Sequence, residues 1–257
     1  MTKTILISGA SSGIGLAIAN KLAQCHHNLI LCGRRAELLK KHADNLRLNS
    51  TSKIHELNFD IRNYNECEKA IHSLPDDFTN IDVLINNAGL ALGLDFIQDG
   101  KLEDWETMID TNIKGLLYIT RIISQKMIAN KNGHIINIGS TAGKETYPKG
   151  NVYCATKFAV DALSKSIRQD LYLHNIRVSQ VCPGHVEETE FAINRFDGDK
   201  TKANIYSDFN PLKAKDIADI IDFIISCPPH VTIQDIVVAG TQQASATLID
   251  RSGRRFD

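Results

Sequence analysis

The chain has 257 residues and a formal net charge of −1, with 43% hydrophobic and 23% charged residues. This composition is ordinary for a globular protein, and the near-zero charge gives no reason to expect nucleic acid or an anionic membrane as a partner. The cysteines are scattered without a C-x-x-C pair, and the histidines lack metal-ligand spacing. We therefore expect a reduced, cytoplasmic protein without a metal, a signal peptide or a membrane-spanning helix.

The first elements are a buried strand, a glycine-rich turn and a helix. TKTILISG is typical of a strand buried on both faces of a parallel sheet, and LAIANKLAQC has the apolar spacing of a helix. Between them lie Gly9, Gly13 and Gly15. Glycines let the backbone approach a ligand closely, and a helix N-terminus offers N–H groups to a pyrophosphate. The pattern predicts a dinucleotide site, although an ordinary strand-to-helix turn is the alternative.

The second strand, NLILCGRR, ends at Arg34 and Arg35. In a dinucleotide-binding fold the end of this strand meets the adenosine ribose, where an acidic residue binds the 2′-hydroxyl of NAD and an arginine accommodates the 2′-phosphate of NADP. A guanidinium group matches a phosphate bidentately. The sequence therefore favours NADP(H) over NAD(H), unless the two arginines simply open the solvated helix AELLKKHADNLRL.

The third and fourth strands, KIHELNFDI and IDVLINNAG, bring further polar groups to the same sheet edge. Asp60, next to Ile61, is placed either to accept a hydrogen bond from the adenine amino group or to cap the helix RNYNECEKAIHSL. Asn87, Ala88 and Gly89 are expected against a ribose.

The long helix EDWETMIDTNIKGLLYITRIISQKMIA follows a loop and carries Asn112 in its middle. Asn is a poor residue for a helix interior. Asn112 therefore predicts either a local kink that holds a water molecule or a buried side chain bonded to the backbone.

The fifth strand, GHIINIGS, ends at Ser140, and the next helix, VYCATKFAVDALSKSIRQDLYL, carries Tyr153 and Lys157. Residues four apart lie on one face of a helix, and a cation beside a phenol lowers its pKa from ~10 toward neutrality. Such a tyrosine exchanges a proton with an alcohol or carbonyl oxygen near physiological pH. Ser140 could give that oxygen a second hydrogen bond. Alone the pair is a weak signal, because most Tyr-x-x-x-Lys pairs are structural.

The rest of the chain continues the alternation of strands and helices. NIRVSQVCPGHV is a sixth strand closing at Pro183 and Gly184, NRFDGDKTKANIYSDFNP is a polar, irregular and mobile lobe, DIADIIDFIIS is a helix and TIQDIVVAG is a last strand. This predicts an α/β Rossmann fold over residues 1–240, a doubly wound parallel sheet of about seven strands with helices on both faces. A substrate lobe spans about 185–213, and the tail 241–257 either wraps a neighbouring subunit or is disordered.

Taken together in order and spacing, these motifs resemble the short-chain dehydrogenase/reductase family over essentially the whole chain. Ser8 stands where that family usually has Thr, and keeps the hydroxyl. The resemblance implies a homotetramer in which Tyr153 is the general acid/base and Ser140 orients the substrate oxygen. It also implies that Lys157 tunes Tyr153 and binds the nicotinamide ribose, and that Asn112 holds the first water of a proton relay.

The resemblance also implies a set of cofactor-binding residues. Those for the adenosine, pyrophosphate and ribose are Gly9, Ser11, Ser12, Gly13, Ile14, Gly15, Arg34, Arg35, Asp60, Ile61, Asn87, Ala88 and Gly89, and those covering the nicotinamide are Pro183, Gly184, Val186 and Thr189.

Two segments, NNAGLALGLDFIQDGKLEDWETMIDTNIKGLLYITR and PGHVEETEFAINRFDGDK, resemble the NADP-dependent 3-hydroxy acid dehydrogenase subgroup more narrowly. That resemblance implies hydride transfer between NADP(H) and serine, allo-threonine or 3-hydroxypropionate. Arg195 is the candidate partner for the substrate carboxylate, since arginine binds carboxylates bidentately, with a surface ion pair to Glu190 or Asp197 as the alternative. Rival functions are a carbonyl reductase of another ketone, aldehyde or steroid, and a non-catalytic NADP-binding regulatory protein.

Overall fold

A seven-stranded parallel sheet forms the centre of the protein, which a computed structural model describes from residue 2 to residue 254. Its order is β3-β2-β1-β4-β5-β6-β9, so the chain reverses its winding direction between β1 and β4. Ligands of such sheets bind at this switch point, beyond the carboxyl ends of the strands. The strands are β1 (Thr4–Ser8), β2 (Asn28–Gly33), β3 (Ile54–Asn58), β4 (Val83–Asn86), β5 (Gly133–Ile138), β6 (Ile176–Pro183) and β9 (Asp235–Val238).

Helices cover both faces of the sheet, as the sequence predicts. Because side chains alternate along a strand, Ile5 and Ile7 of β1 enter one apolar core and Leu6 enters the other. Helices α1 (Gly13–Gln24), α2 (Ala36–Asn49) and α9 (Ala214–Ser226) contribute to the first core, and α3 (Tyr64–His72), α5 (Leu116–Asn130) and α6 (Asn151–Leu171) to the second. The predicted Rossmann architecture is confirmed.

The single long helix predicted around Asn112 is interrupted. Helix α4 (Leu102–Ile109) passes through a π-helical turn, Asp110–Gly115, before α5 begins. A π-helical turn re-aims side chains inside a continuous helix and is common at functional sites. The predicted kink is therefore present, as a wider turn rather than as a bend.

The expectation of an irregular lobe is wrong in part. Between β6 and α9 lie two short helices, α7 (Phe191–Arg195) and α8 (Lys200–Ala203), and a small sheet of β7 (Val186–Glu187) with β8 (Leu212–Lys213). Phe209 has no exposed surface and gives the lobe an apolar centre.

Residues of the predicted tail pack on this lobe of the same chain. Gln242 Oε1 accepts a hydrogen bond from the backbone N–H of Asn210 at 2.8 Å, and Gln243 Oε1 accepts one from that of His185 at 2.9 Å. Both glutamines are buried. The last three residues of the predicted tail, 255–257, and the first residue of the predicted domain lie outside the described residues. No helix in the described part of the chain combines the length and the apolar character that crossing a bilayer requires.

Candidate active site

A cavity of about 980 Å³ lies beyond the carboxyl ends of the central strands. Its volume is at the upper end of the range of roughly 300–1,000 Å³ for ligand sites. Most residues that the sequence predicts for cofactor and catalysis line it: Gly9, Ser11, Ser12, Gly13, Ile14, Arg34, Arg35, Asp60, Ile61, Asn87, Ala88, Gly89, Ser140, Tyr153, Lys157, Pro183, Gly184, Val186, Thr189 and Arg195. Two predicted residues, Gly15 and Asn112, do not line the cavity.

The glycine-rich turn forms the floor of one end of the cavity. Gly9 has φ +67°, and a Cβ there would lie 2.9 Å from Cα of Ala88. Helix α1 begins at Gly13, and no side chain caps its first N–H groups. These groups therefore face the cavity as a site for an anion.

Gly15 contributes packing instead of a cavity wall. A Cβ at Gly15 would lie 2.5 Å from Nδ2 of Asn87 and would also overlap the carbonyl of Gly9. Glycine is required there because α1 crosses the end of β1 at close range. Gly15 therefore does not line the cavity, but supports the glycine-rich turn from behind.

The strand-end loop around Asn87 is tied to β1. Ser8 Oγ accepts hydrogen bonds from the backbone N–H groups of Asn87 (3.1 Å) and Ala88 (3.0 Å). Asn87 Nδ2 donates to the carbonyls of Ser8 (2.9 Å) and Gly9 (3.1 Å). The serine hydroxyl at position 8 therefore joins the two strand ends that enclose the middle of the cavity.

Two arginines, Arg34 and Arg35, lie at the end of the cavity beside the glycine-rich turn. Arg35 Nη2 donates to the hydroxyls of Ser11 (3.0 Å) and Ser12 (2.8 Å), and its Nη1 forms an ion pair with Glu190 at 2.8 Å. The neighbouring Arg34 is half exposed and lies 4.0 Å from Asp60. Two guanidinium groups beside two hydroxyls are suited to a phosphate monoester.

Asp60 lines the same end, where Arg62 binds its carboxylate at 2.6 Å. Partial burial opposes the shift, but the hydrogen bonds from Arg62 lower the pKa of Asp60 below its usual value. Asp60 does not cap α3. Asn63 does so, accepting from the N–H groups of Asn65 and Glu66.

Ser140, Tyr153 and Lys157 meet at the other end of the cavity. Tyr153 and Lys157 are buried, with 8% and 6% of their surface exposed. Lys157 Nζ donates to the carbonyl of Ile138 at 2.9 Å and lies 6.0 Å from the centroid of the Tyr153 ring. Ser140 Oγ accepts from the N–H of Ala142 at 3.1 Å, and its hydroxyl donates to the carbonyl of Pro183 at 3.4 Å.

The prediction that Lys157 lowers the pKa of Tyr153 is wrong: the surrounding protein raises it. Burial raises the pKa of Tyr153 above its usual value, against a smaller opposing hydrogen bond from Ser140. Burial also lowers the pKa of Lys157 to about 8. The four-residue spacing places the ammonium on the correct face of α6, but it bonds to β5 instead of to the phenol oxygen.

Asn112 lies behind the cavity, with 2% of its surface exposed. Its Oδ1 accepts from the N–H of Leu90 at 2.9 Å, and its Nδ2 donates to the carbonyl of Leu90 at 2.8 Å and to Thr156 Oγ1 at 3.0 Å. The π-helical turn thus aims Asn112 at the loop after β4 and at α6. Asn112 is therefore buried and bonded to the backbone, as the second alternative predicts, within the irregular turn that the first alternative predicts.

Arg195 is partly buried and lies over the ring of Tyr153. Its Nη1 donates to the Tyr147 hydroxyl at 2.9 Å and its Nε to the carbonyl of Gly93 at 3.1 Å. The guanidinium carbon is 5.7 Å from the centroid of the Tyr153 ring. The alternative of a surface ion pair with Glu190 is wrong, since Glu190 pairs with Arg35.

Sequence reasoning missed several residues at this end. Tyr147 lies in the loop between Ser140 and Tyr153, so its position between two predicted site residues was the available signal. Nothing in the sequence marked the others, because they come from the lobe and the tail: His185, Asn194, Tyr206, Ala246 and Arg251.

Comparison with known proteins gives the family. The model of the short chain dehydrogenase family matches residues 3–200. The chain belongs to this family. This short chain dehydrogenase is similar to an NADP-dependent 3-hydroxy acid dehydrogenase of Shigella flexneri. The two are 41% identical over 245 residues, which cover 95% of this chain and 97% of the relative. It is 40% identical to sulfoacetaldehyde reductase 2 of Chromohalobacter salexigens, covering 98% of this chain and 100% of that one.

A solved structure agrees with these relatives. The closed form of a serine dehydrogenase complexed with NADP⁺ superposes with a TM-score of 0.91 at 41% identity, covering 95% of this chain and 98% of that chain. The predicted family and its subgroup resemblance are therefore confirmed.

Proposed function

We propose that this short chain dehydrogenase transfers a hydride between NADP(H) and a small 3-hydroxy acid such as serine, allo-threonine or 3-hydroxypropionate. Its assignment as an NADP-dependent oxidoreductase is confirmed by the family and by relatives that match the whole chain. The substrate class rests on one observation: Arg195 lies over the ring of Tyr153, beside Ser140, so an anion site adjoins a proton-transfer site.

Residues along the cavity match successive parts of NADP(H). The Gly9–Gly13 turn and the start of α1 are suited to the pyrophosphate, Arg34 and Arg35 to the 2′-phosphate, and Asp60 to the adenine side. When bound, the cofactor supplies or accepts the hydride and, when oxidised, adds a positive charge to the site. Lys157 and the Asn87–Gly89 loop are the residues proposed to hold its ribose.

Tyr153 is the proposed proton donor and acceptor. Burial raises its pKa, so Tyr153 is protonated at neutral pH and its phenol can donate to a carbonyl oxygen in reduction. In oxidation the same oxygen accepts the hydroxyl proton. Ser140 is proposed to give the substrate oxygen a second hydrogen bond, and Lys157 to pass protons onward from Tyr153.

The anion site is built around Arg195. Nη1 donates to Tyr147 and Nε donates to the Gly93 carbonyl. These two bonds fix the plane of the guanidinium and therefore also the position of Nη2. A planar fork held this way binds a carboxylate with little loss of side-chain entropy. The substrate's reacting carbon would then lie between the anion and the Ser140–Tyr153 pair.

Arg195→Met tests this assignment. A lost charge-assisted hydrogen bond costs roughly 1.5–3 kcal/mol, so we expect KM for 3-hydroxypropionate to rise by about 10- to 150-fold. KM for 1-propanol, which lacks the anion, should stay unchanged. Lys200→Met, which removes an exposed cation of the same lobe outside the cavity, is the matched control. Equal effects on both substrates would contradict the carboxylate site.

A sulfonated aldehyde is the second candidate. The relative from Chromohalobacter salexigens is named a sulfoacetaldehyde reductase, and a guanidinium binds a sulfonate as it binds a carboxylate. Measuring NADPH oxidation with malonic semialdehyde, sulfoacetaldehyde and an uncharged ketone separates these functions from a reductase of another ketone, aldehyde or steroid. No turnover in the whole panel would favour the non-catalytic regulatory protein.

We also propose a homotetramer acting in the cytoplasm. Ile109, Leu117 and Phe158 are exposed by 39%, 38% and 41% on α4, α5 and α6, and such apolar side chains support an assembly surface there. The six free thiols support a reducing compartment. Light scattering on the purified protein would measure the assembly directly.

A further inference from the structure

The turn that carries Ser140 is anchored at both ends. At its start, the Ser140 side chain caps the 3₁₀ turn Thr141–Gly143 by accepting from the N–H of Ala142. Within the turn, Gly143 packs on the backbone of α6, where a Cβ at Gly143 would lie 2.6 Å from the carbonyl of Lys157. The position of Ser140 relative to Lys157 therefore depends on how closely this turn lies on α6.

Lys144 forms the other anchor. Its ammonium contacts Asp161 Oδ1 at 2.5 Å and Asp235 Oδ2 at 2.5 Å. Asp161 lies on α6, one helical turn beyond Lys157. Lys144 lies four residues after Ser140, directly after the 3₁₀ turn. Asp235 begins β9, the strand beside β6. One side chain therefore joins the catalytic turn, the catalytic helix and the edge of the sheet; we name the group Lys144, Asp161 and Asp235 the Lys144 clamp.

The clamp is partly shielded from solvent, most strongly at Asp161, whereas Asp235 is 38% exposed. The Lys144 side chain is 25% exposed and that of Asp161 is 13% exposed. Burial works against the charge, but the hydrogen bonds to both carboxylates raise the pKa of Lys144 above its usual value. Asp235 Oδ1 also accepts from the thiol of Cys182 at 3.6 Å, which extends the contact to β6. A shared, partly buried cation between two carboxylates loses less to solvent screening than an isolated surface pair does.

We propose that Lys144 is a positioning residue for hydride transfer, which sets the distance between Ser140 and the Tyr153–Lys157 face of α6 through Asp161 and Asp235. The inference rests on the proposed function of Ser140 and Tyr153. It adds that their alignment depends on a cation outside the cavity, which contacts neither substrate nor cofactor. Positioned groups are sensitive to shifts of this kind, since about 1 Å of misplacement costs up to ~10²-fold in rate.

Lys144→Met and Lys144→Arg test the proposal. With the best carbonyl substrate of the panel, we expect the methionine variant to lose roughly tenfold in kcat, in line with a sub-ångström shift of Ser140. Its Kd for NADPH, measured by fluorescence titration, should stay unchanged, because the Gly9–Gly13 turn, Arg34 and Arg35, which are proposed to bind the phosphates, do not contact the Lys144 clamp. The arginine variant should recover most of the lost kcat, since a guanidinium spans both carboxylates.

Lys165→Met is the matched control, because Lys165 forms the other ion pair of Asp161, at 2.6 Å, on the exposed side of α6. It should leave kcat and Kd unchanged. If Lys144→Met does not fold, Asp235→Asn weakens the same clamp while keeping the size of the side chain, and should lower kcat about threefold as a partial misplacement.

A purely structural clamp would give a different result. The melting temperature of Lys144→Met would then fall while kcat of the folded variant stayed at the wild-type value, and this would overturn the proposal. So would an unchanged kcat in Asp235→Asn, or no recovery in Lys144→Arg. Wild-type turnover of a neutral ketone but not of malonic semialdehyde would instead contradict the proposed substrate, and the clamp would be judged with the ketone.

Discussion

Arg35→Met should change the cofactor preference of the enzyme without changing its chemistry. Arg35 is held over the glycine-rich turn by the hydroxyls of Ser11 and Ser12, and shares its guanidinium with Glu190. A hydrogen bond to a charged group contributes about 1.5–3 kcal/mol. The side chain is 46% exposed, so solvent screening places the loss in the lower part of that range. About 1.5–2 kcal/mol corresponds to a roughly 10- to 30-fold increase in Kd for NADPH.

Fluorescence titration with NADPH and NADH measures this difference. NADH lacks the 2′-phosphate, so its Kd should be the same in the wild type and in Arg35→Met. Lys40→Met removes an exposed cation of α2 that does not line the cavity, and should leave both values unchanged. Equal weakening for the two cofactors would refute the phosphate assignment and would indicate a general distortion of the turn.

Two further predictions concern stability. Since its pKa falls from 10.5 to about 8 on folding, Lys157 binds fewer protons in the folded state, and this cost is complete below pH 8 and shrinks as the pH rises toward 10.5. Lys157→Met removes this cost but also the hydrogen bond to Ile138, so its free energy of unfolding at pH 7 should exceed that of the wild type by ~2 kcal/mol. In urea unfolding, the wild type should gain ~1 kcal/mol of stability between pH 7 and pH 9, and the variant should not. An identical pH dependence in both proteins would contradict the burial argument. Gly15→Ala should lose about 1–3 kcal/mol, because its Cβ overlaps Gly9 and Asn87, and an unchanged melting temperature would show that the turn relaxes freely.

The order of elements was predictable because each is specified locally. Buried parallel strands read as continuous apolar runs, as in TILIS and GHIINI, and the helices between them keep the spacing of one apolar face. Polar residues that follow the strands reach one sheet edge by topology alone. Ser8, Asn87 and Ser140 therefore meet at one cavity although they are far apart in the chain.

What the sequence missed depends on tertiary contacts. The spacing of Tyr153 and Lys157 predicts a shared helix face, but burial sets the direction of the Tyr153 pKa shift, and the Lys157 ammonium bonds to the Ile138 carbonyl. No local pattern reveals either. Asn112 predicted an irregularity in the helix. The π-helical form of that irregularity accompanies the bonds of Asn112 to Leu90 and Thr156, which are distant in sequence.

The substrate end was the least predictable part of the site. Arg195 was identified as a cation of the right chemistry, but its place over Tyr153 depends on Tyr147 and Gly93. Ala246 and Arg251 reach the cavity only because the chain after β9 returns across the lobe. Contacts between residues so distant in sequence are not predictable from local sequence patterns.

The central claim, that Tyr153 transfers the proton that accompanies the hydride, is tested most directly by Tyr153→Phe. The substitution removes one hydroxyl and keeps the ring that packs against Phe191. We predict that NADPH-dependent reduction of malonic semialdehyde falls by ~10²–10⁴-fold, the usual contribution of a general acid, while the Kd for NADPH stays at the wild-type value. Turnover retained near the wild-type rate in a variant that binds NADPH normally would contradict the account.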